Sequence, residues 1–113
     1  MKELQRRLQE FNAERDWDKY HSPKNLAIGI SVEANELLDL FMWMTEDESK
    51  QPSEQRLERI KEEVGDVTIQ LVNFCHKLGI DPVKCAYEKI EINRKKYPVE
   101  RSFGSAKKYD ELD

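Results

Sequence analysis

Leu4, Leu8 and Phe11 recur at helical spacing near the start of the chain, and that spacing predicts a first helix over about 3–15. The polar stretch ERDWDKYHSPKN follows as a link. Ser22 before Pro23 offers an N-cap with proline in the first turn, where its missing N–H costs little, so a second helix is predicted from about 23 toward 44. TEDESKQPSEQ is acidic and polar, contains Pro52, and reads as a mobile loop. Ser53 caps a third helix running to about 78. Gly79 suits its end, and Asp81 before Pro82 opens a fourth helix that Pro98 stops near 97. The tail over about 99–113, VERSFGSAKKYDELD, has no clear period. The pattern predicts an all-α fold, a four-helix bundle formed as one domain over residues 1–113.

Two of these helices hold charge where apolar residues are expected. On a wheel of 100° per residue, Leu26, Leu37, Leu40 and Met44 of the second helix point in one direction, and Glu33 lies inside that arc. Glu36 falls on its border beside Gly29 and Trp43, while Ser31, Asn35 and Asp39 form the opposite, solvated strip. On the third helix, Ile60, Val64, Val67, Leu71 and Leu78 define the apolar face; Glu63 sits at its edge near Phe74, and Asp66 lies further round toward solvent. A carboxylate among apolar groups is costly unless a cation, a salt bridge or strong donors meet it. Two helices each presenting acids three residues apart bring together hard oxygen donors, which suit Mg²⁺ or Mn²⁺ better than zinc. Acidic pairs on solvated faces are common, and Glu63 and Asp66 fit that reading as well. A ferritin-like di-iron site is disfavoured, because neither histidine stands three residues after a glutamate.

Composition narrows the classes. Charged residues make up 37% and hydrophobic ones 38%, with four Gly and four Pro, which favours long amphipathic helices over many turns. A net charge of -4 argues against a nucleic-acid polymer as partner. Cys75 and Cys85 are too few to staple a domain, lack metal-type spacing with His21 or His76, and are expected as reduced core residues. The first ten residues, MKELQRRLQE, are polar and no apolar run approaches a membrane span, so the expectation is a soluble, cytoplasmic protein.

These residues resemble the MazG-like nucleotide pyrophosphohydrolases, and within them the single-domain dCTP pyrophosphatases. The resemblance runs from about Leu4 to Tyr109 through ERDWDKYHSPKNL, SVEANELLDLFMW, EEVGDV, KIEINRKKYPV and GSAKKY, in that order. It implies that Glu33, Glu36, Glu63 and Asp66 are catalytic Mg²⁺ ligands. It also implies hydrolysis of a nucleoside triphosphate between its α and β phosphates, with a water positioned by Glu33 or Glu36. Glu62 is either an orienting group or a plain surface residue. Trp17, His21 and Lys24 correspond to the family's substrate-contacting turn. Lys89, Asn93, Arg94 and Tyr97 match its phosphate-binding stretch, although Lys89, Asn93 and Lys96 also suit a solvated face. Trp17 and Trp43 suit either base stacking or core packing. Gln70 stands where dCTP pyrophosphatases carry a tyrosine near the sugar, and Leu8 where they carry a base-facing histidine, which opens the base preference. Four helices enclose such a site poorly alone, so a homodimer or homotetramer is expected. A non-catalytic helical module and a regulatory nucleotide-binding relative are the competing readings.

Overall fold

The computed structural model describes residues 1–112, which are helical without strands. Helix α1 spans Lys2–Glu14, and a 3-10 turn, Asp18–Tyr20, leads to α2 at Pro23–Asp39. A short α3, Glu46–Lys50, precedes the long α4, Glu54–Leu78; then come α5, Pro82–Lys96, α6, Val99–Ser102, and a 3-10 turn at Tyr109–Glu111. The four long helices match the expected all-α class.

Their starts follow from capping. The Ser22 hydroxyl accepts the Asn25 amide at 3.1 Å, the Ser53 hydroxyl accepts that of Arg56 at 3.1 Å, and the Asp81 carboxylate accepts that of Val83 at 2.9 Å. Gly79 ends α4 at φ 66, a left-handed conformation that glycine adopts without strain.

Two expectations need correction. Helix α2 stops at Asp39, not near 44, and TEDESKQPSEQ contains a helix instead of being loop throughout. Both have one cause: Thr45 and Glu48 form a reciprocal capping box, at 3.2 and 3.1 Å, that holds Thr45 extended at ψ 166. Helix α2 therefore unwinds before it, and the amides of Leu40 and Phe41 turn back to carbonyls three residues away.

The chain falls into two compact units, Met1–Ile80 and the segment from Asp81 onward. In the first, α2 and α4 pack along each other and α1 lies against α4. Leu8, Leu26, Leu40, Val72 and Cys75 form its buried core, with Asn12 and Asn73 buried among them. Asn12 Nδ2 donates to Asn73 Oδ1 at 3.2 Å, tying α1 to α4 through a buried amide pair. Lys77 donates to Asp18 at 2.7 Å and holds that carboxyl below its ordinary range, fastening the first 3-10 turn to α4. In the second unit, Tyr97 meets Tyr109 edge-on at 6.2 Å and Lys96 lies 4.9 Å over the Tyr109 ring.

The apolar face of α4 is also not as expected. Ile60, Val67 and Phe74 are half-buried, but Val64, Leu71 and Leu78 are exposed, so the apolar stripe is wider than the surface its own chain covers. Cys75 is in the core as expected, whereas Cys85 is exposed on α5.

The buried amide pair yields a first prediction. Asn12→Leu alone leaves the Asn73 amide without its partner and should lower unfolding free energy by about 1–3 kcal/mol. Asn12→Leu with Asn73→Leu should recover part of that loss, as measured by chemical denaturation of both variants.

Candidate metal centre on helices α2 and α4

Residues three apart on a helix share a face, so Glu33 and Glu36 project together from α2 and Glu63 and Asp66 from α4. Because α2 and α4 pack along each other, the two faces meet. Glu33, Glu36 and Glu63 each place a carboxylate oxygen within 4.8 Å of the others. Asp66, exposed one turn further along α4, stays outside this trio but is near enough for its charge to act on both Glu33 and Glu63.

The electrostatics follow from this crowding. Burial, then the hydrogen bond and charge of Glu36, then the charges of Asp66 and Glu63 push the Glu33 carboxyl from 4.5 up to about 7. Burial, followed by the charges of Glu36 and Asp66, also raises Glu63; the Arg59 guanidinium opposes that shift. Glu33 Oε2 and Glu63 Oε2 are sealed from solvent and have no hydrogen-bond partner among the described residues. Buried carboxylate oxygens are ordinarily paired, so two orphans in one cluster mark a place for positive charge. The donor set fits a hard divalent cation: all oxygen, from two rigid helices. Opposed ligands of an ion with bonds of about 2.1 Å stand about 4 Å apart, so little movement would close the trio around one.

Within the first unit, the other expected site residues disperse. Gln70 is half-buried and lies against α2 at Gly29, where an added Cβ would stand 2.5 Å from Gln70 Oε1. His21 lines a cleft of about 300 Å³ with Asn12, Asp18, Asn73, His76 and Lys77. Trp17 packs edge-on against Phe11 at 5.7 Å, and Lys24 is exposed in the first turn of α2. Trp43, 90% exposed, lines a different cleft with Leu40, Met44, Pro52 and Arg56. Lys89, Asn93, Arg94 and Tyr97 belong to the second unit, where Arg94 pairs with Glu91 at 3.1 Å and Asn93 is half-buried.

Sequence reasoning passed over Arg56 and Arg59. Both line a cleft of about 340 Å³ together with Glu36, Asp39, Leu40 and Glu63. Their spacing held the signal, since they stand seven and four residues before Glu63 and so fall on its side of the helix.

Comparison with known proteins gives the family. The profile of the MazG-like family matches residues 28–112, which include all four acids, and the chain belongs to that family. Among particular relatives, dCTP pyrophosphatase 1 of Rattus norvegicus is 38% identical over 114 residues, covering 99% of this chain and 67% of the rat protein. The Homo sapiens protein of the same name is 36% identical over the same shares. A crystal structure of a pyrophosphatase from Archaeoglobus fulgidus superposes with a TM-score of 0.82 at 43% identity, covering 87% of this chain and 92% of that one. No helix among the described residues is long and apolar enough to cross a membrane.

The raised acid makes stability depend on pH with a definite sign. Folded Glu33 holds its proton up to about 7, while the unfolded chain releases it near 4.5, so the folded state binds more protons in between. Without divalent cations, the contribution of Glu33 is fully present below pH 4.5 and is lost as pH rises through 7. The thermal midpoint should fall over that window, and Glu33→Gln should flatten the fall. Scanning calorimetry in chelator-treated buffer checks both.

Proposed function

We propose that this chain is an enzyme, a nucleotide diphosphatase that cleaves a nucleoside triphosphate at the α–β phosphoanhydride, giving a monophosphate and pyrophosphate. The observation that supports it most is the carboxylate trio within 4.8 Å, with two buried and unpartnered oxygens. Glu33, Glu36 and Glu63 would hold a divalent cation, with Asp66 at the rim; Mg²⁺ suits the oxygen donors and Mn²⁺ is a substitute. When bound, the ion neutralises the phosphate oxygens and withdraws charge from them.

The chain's own residues do the rest. Three carboxylates and a triphosphate repel each other, so the acids admit the substrate only as its cation complex, which makes divalent-cation dependence strict. The reaction needs one water, whose oxygen joins one of the phosphorus atoms flanking the α–β bridge. The bond from that phosphorus to the bridging oxygen breaks, and its electron pair leaves with the departing fragment. Glu33 or Glu36, neighbours on one face of α2 with carboxylate oxygens within 4.8 Å, accepts the water's proton. Lys89, Asn93, Arg94 and Tyr97 are assigned to the phosphates and Trp17, His21, Lys24, Trp43 and Gln70 to the nucleoside, following the family pattern. The favoured substrates are dCTP and related pyrimidine deoxynucleotides, as the names of the relatives suggest, which makes nucleotide-pool sanitation the fitting role.

Assembly belongs to the same reading. Leu57, Val64, Leu71 and Leu78 recur every seven residues along α4 and are 40%, 49%, 39% and 50% exposed. Ile28 and Val32 of α2 are exposed as well. Seven-residue repetition of apolar positions is the pattern of a helix seam, and a second copy of the chain gives this one a partner, as a homodimer or within a homotetramer.

Incubation with a panel of nucleoside triphosphates and Mg²⁺ should release pyrophosphate and the matching monophosphate; orthophosphate in its place would sink the assignment. Glu33→Gln should remain folded yet lose more than about 100-fold in turnover, beyond the range for residues that merely orient ligands. Separately, Leu71→Asp should shift the mass measured by light scattering from an oligomer toward the 13.4 kDa monomer.

A further inference from the structure

We propose that Arg56 and Arg59 bind the terminal phosphates of the substrate and thereby set its α–β bond over the acid cluster. This rests on the pyrophosphohydrolase reading above and names the chain's own contacts to the anionic end of that substrate.

Helix geometry supplies the first step. At 1.5 Å per residue, Arg59 stands about 6 Å and Arg56 about 10 Å along α4 from Glu63, on the same side of the helix. Charge therefore changes sign along one strip: guanidinium, guanidinium, then acid. The same two arginines, Glu36, Asp39 and Glu63 line a single cleft. Arg56 also lines the neighbouring cleft beside Trp43 and Pro52, so it stands where the two meet.

Partners supply the second step. An arginine kept for folding closes on an available carboxylate, and Asp39, Glu36 and Glu63 share this cleft. Among the described residues, neither Arg56 nor Arg59 has a carboxylate oxygen within 4.0 Å, although lysines and arginines elsewhere on the surface form ten such pairs. Arg56 makes one long hydrogen bond, Nη1 to the Leu40 carbonyl at 3.4 Å, which turns the half-buried guanidinium toward the end of α2. Arg59 acts on Glu63 through its field alone. Each guanidinium retains planar donors of the geometry that phosphate oxygens accept in pairs.

The third step is the substrate's charge distribution. The γ-phosphate is the most highly charged end of a nucleoside triphosphate, so it has most to gain from two cations and most to lose beside acids. With the acids engaged through a divalent cation near the bond that breaks, the tail settles at the cationic end of the strip. A diphosphate lacks the group that reaches farthest along it. These arginines therefore select for chain length of the phosphate.

The test compares the unaltered protein with Arg56→Gln plus Arg59→Gln, and with Arg59→Gln alone. Position 59 is exposed, so the single variant keeps the fold even where the double variant does not. Calorimetric titration with inorganic pyrophosphate in Mg²⁺ should show at least about tenfold weaker binding in the variants, the size expected for losing a charge-assisted contact. The ratio of kcat/KM for a triphosphate over that for the corresponding diphosphate should shrink by a similar factor, with Arg59→Lys recovering part of it. Thermal stabilisation by Mg²⁺ without phosphate should stay as it was. Unchanged pyrophosphate affinity, or an equal loss on triphosphate and diphosphate, would overturn the arginine assignment. If the unaltered protein hydrolyses no nucleotide, the functional reading fails, and the pyrophosphate titration still decides whether the arginines hold the anion.

Discussion

Three carboxylates share a space less than 5 Å across on two packed helices, and their mutual repulsion is the constraint around which the first unit is organised. Such a cluster cannot be fully ionised at neutral pH without nearby positive charge. The protein meets the constraint only in part: Glu33 is pushed to about 7, and two oxygens remain buried and unpaired. Lys and Arg side chains are abundant on the surface, yet among the described residues none comes within 4.0 Å of these acids. A fold that needed the acids only for stability would do better with apolar residues of similar volume. The frustration is intelligible as a device that a cation relieves, and it explains why the acids sit on rigid helices: a loop would let them move apart.

Stability is drawn from elsewhere. The buried core of the first unit is small, five apolar side chains and an amide pair, and a core of that size is marginal for a chain of this length. Side-chain caps at the starts of α2, α3, α4 and α5 each satisfy helix donors locally, at about 1 kcal/mol apiece. The long exposed seam of α4 offers further apolar surface for burial. One helix thus carries both features, the exposed apolar seam on its outward face and Glu63 on the face toward α2.

The four long helices were legible because caps and breakers mark them: Ser22 with Pro23, Ser53, Gly79, and Asp81 with Pro82 all stand at boundaries. The acids were legible because charge inside an apolar period is conspicuous. What escaped was decided by competition between local signals. Thr45 and Glu48 have the spacing of a capping box, but the acidic, polar setting masks it, so the pattern alone extends α2 five residues beyond Asp39. The apolar stripe of α4 was read as one core-facing surface, whereas helix geometry spreads those positions over an arc wider than one neighbour covers. Val64 and Leu71 fell on the uncovered side and Val72 on the buried side. For Cys85, residue type alone points to the core and nothing in its spacing supports it; the residue is exposed. Arg56 and Arg59 were missed because charged residues near a helix start look like ordinary solvated surface; only the cleft they share with Glu36 and Glu63 distinguishes them.

Angular position on α4 thus separates tasks that chain position interleaves. Over residues 56–78 the helix alternates among three directions: toward α2 lie Glu63 and Gln70, toward α1 lies Asn73, and outward lie Leu57, Val64, Leu71 and Leu78. Gln70 lies against Gly29 of α2, where an added Cβ would stand 2.5 Å from its side-chain oxygen. A side chain at position 29 would turn the Gln70 amide aside, one helical turn beyond Asp66, without touching the acids. The acid cluster and the Gln70 contact are therefore physically separable on this scaffold. The carboxylates are held by two helix backbones, whereas Gln70 meets α2 a turn away through an uncharged side chain that can change without disturbing them.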